Sequence, residues 1–109
     1  MIIKVNTPKG EKYHGEIKNG NFYREVDYWK DRLIKWNSWS IHPDALEIIK
    51  REKVKNLIYK TDKDTFCISL EEAIKYGFEG NLGGGRTIYI PLKHWVKMKA
   101  GEEQQMNLI

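Results

Sequence analysis

Apolar and polar residues alternate through residues 2–6, 11–18 and 21–26, the period-two signature of half-buried strands. Thr7-Pro8-Lys9-Gly10 puts a proline where a type I turn wants it, and Asn19-Gly20 is the preferred dipeptide of a two-residue type I′ hairpin. With Asn19-Gly20 as the whole loop, Ile17 faces Phe22 and Tyr13 faces Val26 on the core side, while His14 faces Glu25 on the other. From Val26 the period lengthens. Val26, Trp29, Leu33 and Trp36 form the stripe of an amphipathic helix over residues 26–36, which Asn37-Ser38 ends.

A second helix starts at His42 or Ser40 as N-cap, with Pro43 in its first turn, Asp44 favouring its dipole and Ala45, Leu46, Ile48 and Ile49 on its apolar side. It ends near Lys53. Residues 54–60 and 65–69 read as a second hairpin around Thr61-Asp62-Lys63-Asp64. Ser69 and Glu72 make a capping box and Gly77-Phe78 matches a Schellman stop, so residues 70–76 form a short helix. The glycine-rich residues 80–85 read as a loop, 86–90 as a strand and 91–99 as a last helix. The expected fold is α+β: a small single domain, residues 1–100, with two β-hairpins, a mostly antiparallel sheet and three to four short helices. A polar C-terminal tail, residues 101–109, follows it.

Length and composition narrow the class. A chain of 109 residues supports one core, and 40% hydrophobic with 31% charged residues belongs to folded proteins, not disordered ones. No apolar run is long enough to span a bilayer, and Met1-Ile2-Ile3-Lys4-Val5 is too short for a signal sequence. The lone Cys67, within Phe66-Cys67-Ile68, reads as a structural thiol, so a cytoplasmic protein is expected. The net charge is +4, and its distribution says more than its size. Residues 1–60 carry 13 Lys and Arg against 8 Asp and Glu, whereas residues 61–109 carry 6 against 7.

That basic half also holds the aromatic concentration: Phe22, Tyr23, Tyr28, Trp29, Trp36 and Trp39 among Arg24, Lys30, Arg32 and Lys35. On the first helix Trp29 and Trp36 fall on the core stripe, while Tyr28, Arg32 and Lys35 share another face at i, i+4 and i+7. Rings that stack on bases beside cations that follow phosphates suit single-stranded nucleic acid, with double-stranded nucleic acid as the other candidate. Lys50, Arg51 and Lys53, at the end of the second helix, extend the proposed nucleic-acid surface if they share it; they also complement the helix dipole without any ligand. In the glycine-rich segment Arg86 is the candidate anion-binding residue, although the following strand excludes a phosphate-binding P-loop.

Catalytic signals are missing. His14, His42, His94 and Cys67 show no paired ligand spacing, so neither a metal nor a cofactor is expected. An enzyme would need Asp62, Asp64 and Glu79 to converge in space. The final residues Gln105-Met106-Asn107-Leu108-Ile109 resemble the bacterial sliding-clamp-binding peptide. The resemblance implies Gln105 in the clamp's polar pocket, Met106 on its rim, and Leu108 with Ile109 in its hydrophobic pocket, Ile109 standing where Phe is commoner. Alternatively Met106, Leu108 and Ile109 fold back on the body as a plug. The function expected is a non-catalytic accessory protein of nucleic-acid metabolism, tethered by its tail to a partner. The other class is a protein-interaction module, an inhibitor or adaptor of a mobile element, without nucleic-acid binding.

Overall fold

Asn19 and Gly20 both take positive φ, 55° and 78°, as a type I′ turn requires. They join β2 (Gly10–Lys18) to β3 (Asn21–Glu25), with Ile17 opposite Phe22 as the hairpin register predicts. The structure, a computed structural model, describes residues 1–28, 37–82 and 85–98. Ahead of the hairpin lies β1 (Ile2–Thr7), and after it come β4 (Ser38–Ile41), α1 (Pro43–Arg51), β5 (Asn56–Lys60) and β6 (Thr65–Ser69). The chain continues through α2 (Leu70–Tyr76), β7 (Phe78–Leu82), β8 (Gly85–Pro91), a 3-10 turn at Leu92–His94 and β9 (Val96–Met98).

The strands form two sheets. One has six strands in the order β1-β2-β3-β5-β6-β9, and the other has three in the order β4-β8-β7. All pairings are antiparallel except β3 with β5, where Tyr23 lies opposite Ile58. The mixed α/β fold thus matches the expected class, with two α-helices among the described residues instead of three to four. The helix expected over residues 26–36 falls largely outside those residues. No described helix is long and apolar enough to cross a membrane.

The core is aromatic. Trp39, Tyr59 and Phe22 are wholly buried, with ring centroids of Trp39 and Phe66 5.6 Å apart and of Tyr59 and Trp95 4.7 Å apart. The Tyr59 hydroxyl donates to the Ser40 carbonyl at 2.8 Å, so β5 of the large sheet is hydrogen-bonded to β4 of the small one. Trp95 Nε1 donates to the Ile90 carbonyl at 3.2 Å.

Several local expectations are corrected. Of the helix expected over residues 91–99, the described residues 91–98 form none: Pro91 ends β8 opposite Ser38, and the chain passes through a 3-10 turn into β9 beside β6. The glycine-rich segment is not all loop, because β7 and β8 form a hairpin across it. Gly80 faces the Tyr89 ring so closely that an added Cβ would sit 2.5 Å from Tyr89 Cε2. Gly77 is extended (φ −68°), not left-handed; a Cβ there would meet the Ala73 carbonyl oxygen at 2.6 Å. The Schellman geometry occurs instead after α1. Lys53 takes φ 54°, its N–H donates to the Lys50 carbonyl and the Val54 N–H to the Ile49 carbonyl.

β2 also differs from simple alternation. Gly15 pairs with Ile3 but Tyr13 pairs with Lys4, which leaves His14 as the extra residue of a bulge. The faces swap across it. His14 is 7% exposed, while Tyr13, placed by the sequence on the core side, is 60% exposed.

Candidate functional site

One face of the six-stranded sheet carries a surface built by strand register. Ile2, Glu16, Tyr23, Ile58, Cys67 and Val96 lie opposite one another from strand to strand and so share one face. At its centre Ile58, Cys67 and Met98 are buried together, with Tyr23 packed against them. Lys18 and Lys60, diagonal neighbours of Tyr23, hold their ammonium groups 5.5 and 5.8 Å from its ring centroid. A groove of 480 Å³ runs here, lined by Tyr13, Glu16, Lys18, Asn19, Tyr23, Arg24, Glu25 and Lys60. Three cations and two carboxylates border it, with one exposed phenol and one partly exposed.

Where the β2–β3 pairing ends, beyond Glu16 and Tyr23, the groove meets the bulge. Arg24 Nη1 donates to the His14 carbonyl at 2.7 Å and lies 3.2 Å from His14 Nδ1, while the His42 backbone N–H lies 3.2 Å from His14 Nε2. Both ring nitrogens therefore face donors. Burial, then the Arg24 charge, then His42 lower the His14 pKa from 6.5 to about 3, so the ring is neutral near pH 7. His42 caps α1, its Nδ1 accepting from the Asp44 N–H at 3.1 Å, as one of the two sequence-based alternatives required.

The residues singled out from sequence are dispersed. Tyr28 is half-buried, with its ring centroid 6.0 Å from that of Trp39, and it lines a small hollow with Thr61, Asp62, Lys63 and Asp64. Lys50, Arg51 and Lys53 sit at the other end of β5: the Lys55 N–H bonds Gly20 there, whereas Lys60 receives the Val26 N–H at the Tyr28 end. The structure does not bring Tyr28 together with the α1 cations. Arg32 and Lys35 lie outside the described residues, as do Gln105, Met106, Leu108 and Ile109. Arg86 pairs with Glu79 across the β7–β8 hairpin. Asp64 pairs with Lys97 at 3.4 Å, so Glu79 and Asp64 have separate partners in separate sheets. Among the described residues no three His, Cys, Asp or Glu side chains converge to hold a metal ion.

Sequence reasoning missed Tyr13, Lys18 and Lys60 because it sought a surface on a helix. The alternation that placed Tyr23 beside Phe22 could have found the sheet face. Comparisons with protein-family models, curated proteins and solved structures return no match.

Proposed function

We propose that this is a non-catalytic accessory protein of nucleic-acid metabolism that holds a single strand in the groove along β2, β3 and β5 of its six-stranded sheet. The observation that carries the reading is the Tyr23 ring between Lys18 and Lys60, beside exposed Tyr13 in one groove. Sheet-borne rings stack on any base and flanking cations follow the backbone, a sequence-tolerant mode of recognition. In the same proposal Gln105, Met106, Leu108 and Ile109 tether the protein to a sliding clamp, raising its local concentration on DNA.

The test is fluorescence anisotropy with labelled oligothymidylate, oligouridylate and a DNA duplex over a salt series. Single strands bind best, and affinity falls as salt rises because bound phosphates release counterions. Tyr13→Ala weakens binding by about tenfold, the loss of one stacked base, and Lys18→Gln with Lys60→Gln flattens the salt slope. Wild-type protein that ignores all three probes at low salt overturns the reading and leaves the interaction-module class.

A further inference from the structure

A second recess opens where the bulge of β2 faces the small sheet. Its inner chamber, 240 Å³, is lined by residues including Lys12, His14, Arg24, Ser40, His42 and Thr87. Its wider outer chamber, 440 Å³, includes Pro43, Asp44 and Arg86, and the two meet at Thr7, His42 and Thr87. The lining is rich in donors without acceptors. Arg24 is half-buried, yet its fixed partners are a carbonyl and a neutral imidazole, not a carboxylate, and its buried Nε has no partner. Among the described residues Lys12 has no ion pair, and the Ser40 and Thr87 hydroxyls have no hydrogen bond. With Nδ1 accepting from the Asp44 N–H, the His42 ring offers Nε2–H as a further donor. Among the described acids, Asp44 lies beside His42, Glu79 is paired with Arg86, Glu11 with Lys4, and Glu16 and Glu25 border the adjoining groove without an ion pair to Arg24.

Partial burial of a guanidinium without a counter-anion carries a cost, which an anion held by the convergent donors around it lowers. We propose that this cleft binds a phosphate monoester, with Arg24, Lys12, Ser40 and Thr87 holding the phosphate in the inner chamber and the esterified group in the outer one. The monoester is carried by a free nucleotide or by the 5′ end of a strand. Both sources fit the geometry, because the inner chamber shares Tyr13 and Arg24 with the sheet-face groove. The cleft does not depend on the sheet-face reading.

Calorimetric titration of the full chain tests it with inorganic phosphate, adenosine 5′-monophosphate, adenosine, and oligothymidylate with and without a 5′-phosphate. The monophosphate binds and adenosine does not, or the phosphorylated strand binds more tightly than its hydroxyl counterpart; the first pattern identifies a free nucleotide and the second a strand end. Arg24→Gln weakens either by about tenfold or more, the loss of a charge-assisted contact. Should Arg24→Gln fail to fold, Lys12→Gln with Thr87→Val, which removes no protein hydrogen bond, gives the same readout. Monophosphate binding with no strand binding sustains the cleft and overturns the sheet face, and strand binding indifferent to the 5′-phosphate does the reverse. No preference for any phosphate over its hydroxyl counterpart, or affinity unchanged in the folded variants, overturns the proposal.

Discussion

His14 shows how one residue can couple strand geometry to pH. Because its folded pKa is lowered to about 3 from 6.5, the unfolded chain binds more protons throughout that interval. The stability associated with the neutral ring is fully present above pH 6.5 and is lost as pH falls toward 3. The limiting slope is about 1.4 kcal/mol per pH unit. Urea titrations at pH 7, 6, 5 and 4 should therefore show wild-type stability falling more steeply than that of His14→Gln, whose side chain does not titrate. Parallel profiles for the two proteins would remove His14 from the explanation. The alternation in the sequence assigns this imidazole to the outward face, and alternation by itself carries no mark of an inserted residue. Gly15 was the available signal, since an isolated glycine within a strand pattern often accompanies a bulge.

At the scale of elements, chemistry that acts over a few residues was legible and pairing across the chain was not. The Asn19-Gly20 turn, the Ser69 cap accepting from the Glu72 N–H at 3.1 Å, and strand β6 follow from neighbouring side chains. β4 and β9 are short and depend on partners, β8 and β6, distant in sequence, so no local period announces them. The Pro91 expected inside a helix instead closes a strand, because proline suits the end of a ladder as well as the first turn of a helix. The end of α1 offers a direct test. Lys53 holds the left-handed position of a Schellman motif that glycine occupies without a Cβ penalty. Lys53→Gly should raise unfolding free energy by about 1 kcal/mol, read by chemical denaturation. An unchanged or lowered midpoint would mean that the lysine stem contributes packing that outweighs the backbone relief.

On the scale of the whole molecule, two antiparallel units, β1-β2-β3 and β5-β6-β9, meet along the parallel β3–β5 seam, and the proposed binding groove crosses that seam between Tyr23 and Lys60. The sequence displayed both hairpins but not their union, which is why the basic and aromatic residues were assigned to a helix face. Deleting residues 105–109 separates the two readings of the tail. A tether predicts an unchanged melting temperature and lost clamp binding, whereas a lowered melting temperature identifies a plug. The order of strands has one more consequence. Among the described residues the large sheet ends on β1, followed at once by Pro8, and on the short β9 with Lys97 at its centre. A proline lacks the N–H that an added strand would need, and a short edge with a central charge pairs poorly with another chain. The short, charged β9 margin therefore resists the edge-to-edge growth that seeds aggregates, and at the β1 margin Pro8 confines any added strand to residues 2–7.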